Sequence, residues 1–153
     1  MDRVQSAPFR DAPCAFCEIV AGTRPVSIVA EDRHTMTVVD LRQFHPGHVL
    51  VIPRMHVRDI RAANDATMAA VAIATARAAR GVDRAFPSDG LSIWHSAGAG
   101  ANQEVPHLHV HIHPRRFGDQ LLNVYPSAPT LPSRTILEQV AQQLRAALGS
   151  LID

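Results

Sequence analysis

Four histidines alternate with apolar residues in one short segment of the chain. The segment reads PHLHVHIHPR from Pro106 to Arg115, and four of the nine histidines lie in it: His107, His109, His111 and His113. In a β-strand, alternate side chains point to the same face about 6.5 to 7 Å apart, so the pattern predicts one imidazole face and one core face. Neutral imidazole acts as a nucleophile, an acid or base, or a metal ligand. The segment therefore predicts a built site, either catalytic or purely metal-binding.

The two cysteines of the chain form a second candidate site. Cys14 and Cys17 stand in a C-x-x-C pair. In a reducing compartment such a pair indicates a metal or redox role rather than a structural disulfide. A redox C-x-x-C usually opens a helix after a thioredoxin-like strand, and no such strand precedes Cys14. The pair therefore favours a metal site.

The length and charge of the chain restrict its class. The chain has 153 residues, 46% of them hydrophobic, which is enough for one core. Its formal net charge of +1 indicates no general attraction to nucleic acid or to an anionic membrane. The N-terminus has no apolar signal core, and no stretch approaches the roughly 18 apolar residues of a membrane span. We expect a cytoplasmic protein without nucleic-acid or membrane partners, with a flexible leader at residues 1–13 and a single domain at residues 14–153.

Hydrophobic periodicity predicts three helices. Apolar residues at helical offsets in CAFCEIVAG predict a short first helix. An alanine-rich segment predicts a long helix from Ile60 to Arg80, with Asn64 or Asp65 as the cap of its main part and Gly81 after its end. A last helix is expected from about Pro132 to Leu148.

Strands are predicted in four segments besides the histidine row: SIVAE, TMTVVD, HVLVIP and LSIWHS. The turn signal Pro46-Gly47 precedes HVLVIP, whose β-branched residues predict a buried central strand. Antiparallel strands combined with two substantial helices indicate an α+β fold.

In these segments the chain resembles the histidine-triad family, whose signature is His-φ-His-φ-His-φ-φ, with φ apolar. The run from His107 to Ile112 matches, while His113 takes the last, normally apolar, place. The resemblance extends from Cys14 to Arg116 through CAFCEIVAGTRP, VVDLRQFHPGHVLVIPRMH and ANQEV. It implies a homodimeric α+β domain with a five-stranded antiparallel sheet and two main helices. It also implies cleavage of a phosphoramidate or phosphoanhydride at the α-phosphate of a purine nucleotide such as AMP.

The same resemblance assigns catalytic roles to four histidines. His109 would be the nucleophile and form a covalent nucleotidyl-histidine, with its other ring nitrogen held by the backbone carbonyl of His107. His111 would contact the phosphate and stabilise its developing charge. His48, in the PGH element, matches a histidine that lines the site, although it can also be a loop histidine without a role.

Nucleotide-binding residues also follow from the resemblance. Asp40 matches an acidic residue that accepts hydrogen bonds from the ribose hydroxyls, although it can also simply cap a turn. The base would pack against three apolar residues, which are alternatively ordinary core: Phe16, Ile19 and Leu41. The phosphates would lie at the loop that contains Ser96, Asn102, Gln103 and Val105. Ser96 stands where many relatives carry asparagine, and Asn102 where many carry glycine.

In the zinc-bearing branch of the family two histidines complete the metal site of the cysteine pair. The matching residues are Cys14, Cys17, His56 and His107, a closed set suited to a structural zinc ion. Two other functions remain open from the sequence. One is a dinucleoside polyphosphate hydrolase or phosphorylase, and the other is a non-catalytic nucleotide- or zinc-binding regulatory protein.

Overall fold

The computed structural model describes residues 13–152. The predicted leader at residues 1–13 lies outside this range, apart from Pro13, which is exposed. The chain divides after Leu121 into two compact units. The single domain expected for residues 14–153 stays a prediction.

Five antiparallel strands of the first unit form one sheet. They are β1 (Ile28–Glu31), β2 (Thr35–Val39), β3 (Val49–Pro53), β4 (Gly90–Trp94) and β5 (Val110–Arg115). Their order across the sheet is β1-β2-β3-β5-β4, so β1 and β4 are the edge strands. The predicted five-stranded antiparallel sheet is confirmed.

Helix α1 (Ala15–Val20) is short, whereas α2 (Asp65–Ala85) and α3 (Arg134–Ile152) are the two long helices. The α+β class is therefore confirmed. The predicted cap Asn64 is confirmed, because its side chain accepts a hydrogen bond from the Thr67 N–H group at 2.8 Å, and the predicted extension back to Ile60 is wrong. The predicted end at Arg80, before Gly81, is also wrong, since the helix continues to Ala85. A glycine inside a helix costs only about 1 kcal/mol, and the next residue, Val82, is buried in the core.

The two faces of the sheet carry different partners. On one face, Val49, Val51 and Ile112 form a buried cluster with Val71 and Val82 of α2. On the other face, a second buried cluster joins the sheet to α1 and consists of Phe16, Met36, Val38, Leu50 and Ile52. The alternation along β3 produces both clusters, since successive side chains point to opposite faces.

The histidine row is only partly a β-strand. Strand β5 begins at Val110, so His107 and His109 precede it, and the predicted strand from Pro106 is wrong in its first four residues. The reason is a competing backbone contact: the Leu108 N–H group donates to the carbonyl oxygen of Val57 at 2.6 Å. Leu108 is nevertheless fully buried in the α2 cluster, as the alternation predicts.

Helix α3 belongs to the second unit and begins beside Ser133, whose hydroxyl accepts a hydrogen bond from the Ile136 N–H group at 3.4 Å. It starts close to the predicted Pro132 and ends four residues after the predicted Leu148. Among the helices of residues 13–152, none combines the length and hydropathy that a bilayer span needs.

Candidate functional site

The His109 imidazole is buried, and its hydrogen bond fixes its tautomer. Its Nδ1 atom lies 2.7 Å from the carbonyl oxygen of His107. A carbonyl only accepts, so Nδ1 carries the proton and Nε2 keeps its lone pair. Burial, partly opposed by this hydrogen bond, lowers the pKa of His109. The ring is therefore a neutral nucleophile near pH 7, and Phe16 packs against it edge-on at a centroid distance of 5.1 Å.

His111 and His48 form a hydrogen-bonded pair behind this ring. Nδ1 of His48 donates to the Arg42 carbonyl oxygen at 2.7 Å, so the Nε2 atom of the neutral ring is an acceptor. It lies 3.0 Å from Nδ1 of His111, which therefore donates. Burial, with His109 and His48 nearby, lowers the pKa of His111 to about 3. Neutral His111 thus keeps a lone pair on Nε2. His48 contacts His111 through a hydrogen bond, and a catalytic role for His48 stays a prediction.

Two residues of the β4 end contact these imidazoles and were not singled out from the sequence. The Trp94 ring stacks on the His111 ring with a centroid distance of 4.4 Å and an interplanar angle of 2°. His95 donates from Nδ1 to the carbonyl oxygen of His109 at 2.8 Å, and its Nε2 accepts from the Ile60 N–H group at 3.3 Å. These contacts depend on the strand register that pairs Trp94 of β4 with His111 of β5. Local sequence does not indicate that register.

His113 differs from the other histidines of the row because both of its ring nitrogens are bonded to backbone groups. Its Nδ1 atom donates to the carbonyl oxygen of Pro114 at 2.6 Å, and its Nε2 accepts from the His45 N–H group at 3.5 Å. The side chain is fully buried and does not face solvent. With both ring nitrogens bonded, His113 offers no donor or acceptor to a nucleotide or a metal.

Asp40 is buried at the start of the loop between β2 and β3. Its Oδ1 atom accepts a hydrogen bond from the Arg42 N–H group at 2.6 Å, which is the turn-capping contact foreseen as the alternative. Within residues 13–152, Oδ2 has no hydrogen-bond partner and stays available to a hydroxyl donor. Gln43 holds the loop, because its Nε2 donates to the carbonyl oxygens of Asp40 and His48 at 2.7 and 2.8 Å. Gln43 was missed because these contacts depend on the folded loop.

The loop before the histidines is shaped by the buried amide of Gln103. Its Oε1 accepts from the Gly98 N–H group at 2.7 Å, and its Nε2 donates to the carbonyl oxygens of Arg58 and Val105 at 2.7 and 3.0 Å. The side chain is thus occupied within the protein. In the described part of the chain, the N–H groups of Glu104 and Val105 have no partner, so backbone rather than the Gln103 amide is free to bind an anion.

Asn102 and Ser96 occupy different positions in that loop. Asn102 has φ of +61°, a left-handed conformation that asparagine tolerates better than most residues and that glycine adopts freely. This explains asparagine at a position where glycine is usual in the resemblance. Asn102 is exposed and Ser96 is half-buried, and a phosphate contact for either stays a prediction.

The three predicted base contacts differ in burial. Phe16 is buried in the α1 cluster and Ile19 packs against that cluster, so both have a core role. Leu41 is 98% exposed, and its alternative interpretation as core is wrong. Base contact for Phe16, Ile19 and Leu41 stays a prediction.

The four predicted metal ligands converge. Nδ1 of His107 lies 3.4 Å from the Cys14 sulfur and 3.6 Å from the Cys17 sulfur, and Nδ1 of His56 lies 3.2 Å from the Cys17 sulfur. Bond lengths of about 2.3 Å to sulfur and 2.0 Å to nitrogen in a tetrahedron place S and N about 3.5 Å apart. Nε2 of His107 donates to the Pro53 carbonyl oxygen at 2.9 Å, which leaves Nδ1 unprotonated toward the thiols. The donor set therefore fits zinc.

Comparison with known proteins identifies the family of this fold. Residues 21–118 match the family model described as the HIT domain. The chain belongs to the histidine-triad (HIT) family. The match includes the histidine row, Asp40 and His56, whereas the cysteine pair and Phe16 precede it.

Solved structures and curated sequences similar to this HIT protein agree with that assignment. The crystal structure of SMU.412c from Streptococcus mutans has a TM-score of 0.82 and 32% identity, covering 96% of this chain and 91% of that one. A zinc-bound histidine triad family protein from Mycobacterium smegmatis has a TM-score of 0.67 and 37% identity, covering 91% and 95%. "Adenylylsulfatase HINT3" of Arabidopsis thaliana is 29% identical over 78% of this chain and 60% of its own length.

A cavity of about 330 Å³ also exists in this HIT protein, on the α2 face of the sheet. Its lining includes Thr35 and Thr37 of β2 and Ala74 and Ala78 of α2. None of the histidines or cysteines discussed above lines it. The cavity is therefore separate from the histidine cluster.

Proposed function

We propose that this HIT protein is a nucleotide hydrolase or transferase that acts through a covalent nucleotidyl-histidine at His109. The substrate is an AMP-like purine nucleotide with a phosphoramidate or phosphoanhydride at its α-phosphate. The observation that carries the proposal is the hydrogen bond from Nδ1 of His109 to the His107 carbonyl oxygen, because it leaves Nε2 as the nucleophilic atom. The adenylylsulfatase name of the Arabidopsis relative supports an adenylyl substrate.

The first step transfers the nucleotidyl group to His109. The Nε2 lone pair forms a bond to the α-phosphorus, and the bond to the leaving group breaks with its electron pair going to the leaving atom. A leaving oxyanion departs as such, whereas a leaving amine takes a proton from water. Asp40 orients the nucleotide by accepting from the ribose hydroxyls at Oδ2. The free N–H groups of Glu104 and Val105 stabilise the phosphoryl oxygens.

The second step releases the nucleotide. A water molecule attacks the phosphorus, the bond from phosphorus to Nε2 of His109 breaks, and its electron pair returns to the ring. The lone pair on Nε2 of His111 accepts the proton of the water, and the hydrogen bonds from His111 to His48 and from His48 to Arg42 hold that ring in place.

Zinc is proposed as a structural ion held by Cys14, Cys17, His56 and His107. When bound, it cross-links α1 to the segments that follow β3 and precede β5. The zinc-bound relative from Mycobacterium smegmatis and the converging donor set support this assignment. Through His107 the ion also steadies the carbonyl group that orients His109.

A homodimer is proposed through the edge of the sheet. Strand β4 is an edge strand, and its Ile93 side chain is 51% exposed. An open edge with an apolar side chain favours pairing with a second copy. Light scattering of the wild type and of Ile93→Lys tests this, since the substitution should yield monomers; an unchanged mass would place the interface elsewhere.

The covalent intermediate gives the direct test of the proposed function. The protein is mixed with adenosine 5′-phosphoramidate, adenosine 5′-phosphosulfate or a diadenosine polyphosphate, each labelled at the α-phosphate, and quenched within milliseconds. Label should enter the protein as an acid-labile, base-stable adduct. It should be absent in His109→Ala and retained in His34→Asn, which removes an exposed histidine. Nucleotide binding without an adduct would favour the non-catalytic regulatory protein, and the preferred substrate separates the phosphoramidase from the polyphosphate hydrolase.

A further inference from the structure

An ion pair joins the two loops of the candidate site. Arg42 lies two residues after Asp40, and its Nη1 atom is 3.1 Å from Oε1 of Glu104 in the loop before the histidines. Its Nε atom is 3.6 Å from Oδ1 of Asp40. The guanidinium group therefore bridges the acidic residue assigned to the ribose and the loop assigned to the phosphates.

The bridge lies close to the reacting imidazoles. The Arg42 carbonyl oxygen accepts the hydrogen bond from His48, which in turn accepts from His111. The Arg42 side chain is 67% exposed and thus open to an anion in solution.

We propose that Arg42 is a specificity-determining residue that receives an anionic leaving group, and that Glu104 holds it until such a substrate binds. The proposal rests on the function proposed above and narrows its substrate class to anhydrides of AMP with an oxyanion, such as sulfate or phosphate. When the P–O bond breaks, its electron pair stays on the leaving oxygen. Arg42 exchanges Glu104 for that oxyanion and donates two hydrogen bonds to it.

The tautomer of His111 also favours substrates that are anhydrides of AMP with an oxyanion. Its Nδ1 proton is committed to His48, and neutral Nε2 carries none, so the ring is poised to accept a proton rather than to protonate a leaving atom. An amine needs a proton to depart, whereas sulfate and phosphate leave as stable anions. A cation beside the leaving oxygen is therefore more useful here than an acid.

The exchange is energetically feasible because the resting pair is weak. Both partners are about two thirds exposed, at 67% and 68%, and exposed ion pairs contribute little to stability. Release of Arg42 from Glu104 therefore costs little, and an oxyanion of the substrate can replace the carboxylate.

The test substitutes Arg42 and Glu104 in turn and measures the binding of two ligands. One ligand carries an anionic group on the AMP phosphate, and the other does not. In the His109→Ala background, where turnover is removed, the Kd values of AMP and of adenosine 5′-phosphosulfate are measured by the fluorescence of Trp94, the single tryptophan. Arg42→Gln should weaken the phosphosulfate about 10-fold or more relative to AMP. Glu104→Gln should strengthen it relative to AMP, and Arg42→Lys should retain part of the preference.

The opposite changes in Kd expected for Arg42→Gln and Glu104→Gln distinguish binding of the leaving group from a purely structural role of the ion pair. If the pair merely cross-links the loops, Arg42→Gln and Glu104→Gln shift both ligands alike and in the same direction, which overturns the proposal. Arg24→Gln, which removes an exposed ion pair with Glu18, is the matched control and should change neither Kd. With a functional His109, Arg42→Gln should lower kcat/KM for phosphosulfate more than for phosphoramidate; an unchanged ratio overturns the proposal. Adduct formation at His109 from adenosine 5′-phosphoramidate, whose leaving amine is not an oxyanion for Arg42, tests the general function separately.

Discussion

His107 connects the two candidate sites through opposite ends of the same residue. Its Nδ1 atom faces the sulfurs of Cys14 and Cys17 at 3.4 and 3.6 Å, while its carbonyl oxygen accepts the hydrogen bond of His109 at 2.7 Å. The orientation of the proposed nucleophile therefore depends on how firmly the His107 backbone is held. A metal bound at Nδ1 of His107 would be linked to the ring of His109 through the five covalent bonds from Nδ1 to the carbonyl oxygen of His107 and one hydrogen bond.

Loss of the thiols should release zinc and weaken catalysis together. Protein purified without a metal-affinity resin should contain about one zinc per chain by elemental analysis. Cys14→Ser combined with Cys17→Ser should lose it and lower Tm by at least about 5 °C, since zinc binding energy is folding energy. We expect kcat to fall more than AMP affinity, because His109 loses its orientation. Zinc retained by the double variant, or a disulfide between the two cysteines, would contradict this.

Removal of the imidazole should lower activity strongly at His109 and only slightly at His113. His109→Ala should lower kcat at least about 1,000-fold, as for other covalent nucleophiles, while AMP binding changes less than about 3-fold. His113→Ile should keep activity within about 5-fold, because both ring nitrogens of His113 are bonded to backbone groups. Steady-state kinetics and Trp94 fluorescence measure the two effects. Comparable losses of kcat in both variants would show that the histidines of the row contribute through packing and not through the chemistry of His109.

The alternation of His107 to His113 with apolar residues was sufficient to predict which side chains oppose the core. Leu108 and Ile112 are indeed fully buried with α2. The pattern did not predict that the first part of the row leaves the sheet, because that depends on a contact with Val57, 51 positions away in the chain. Local periodicity reports the face of a side chain and not the partner of its backbone.

The site was predictable where a motif carried it and not where tertiary contacts built it. The four predicted metal ligands come together, and Asp40 lies beside His48 and His111, because residue type and spacing are preserved in the sequence. Trp94 and His95 were missed because their contacts require the register between β4 and β5. The Gly81 boundary of α2 failed since burial of Val82 outweighs the low helix propensity of glycine.

Asp40 should determine whether the site distinguishes ribose from deoxyribose. Its Oδ1 caps the turn to Arg42, and its unpaired Oδ2 is proposed to accept from the ribose hydroxyls. Wild-type protein should bind AMP about 10-fold more tightly than 2′-deoxy-AMP, corresponding to one hydrogen bond to a charged group. Asp40→Asn, which preserves an oxygen for the turn, should reduce this ratio, and Asp40→Ala should abolish it. An unchanged ratio in Asp40→Ala would limit Asp40 to capping the turn.

The buried histidines should make the protein less stable in acid. Burial lowers the pKa of His111 to about 3, whereas the same side chain in the unfolded chain has a pKa near 6.5. Between these values the unfolded chain binds the extra proton, so the free energy of unfolding decreases as the pH falls from 6.5 toward 3. The loss reaches about 1.4 kcal/mol per pH unit for each such histidine. Above pH 6.5 this contribution is complete.

Urea unfolding at a series of pH values measures that slope. His111→Gln removes one titrating group but keeps a polar side chain, so its free energy of unfolding should depend less steeply on pH by up to about one proton. Comparing slopes rather than absolute stabilities removes the cost of the substitution itself. Parallel curves for wild type and His111→Gln would mean that His111 is protonated equally in the folded and unfolded states. That outcome would also remove the neutral Nε2 atom on which the proposed second step depends.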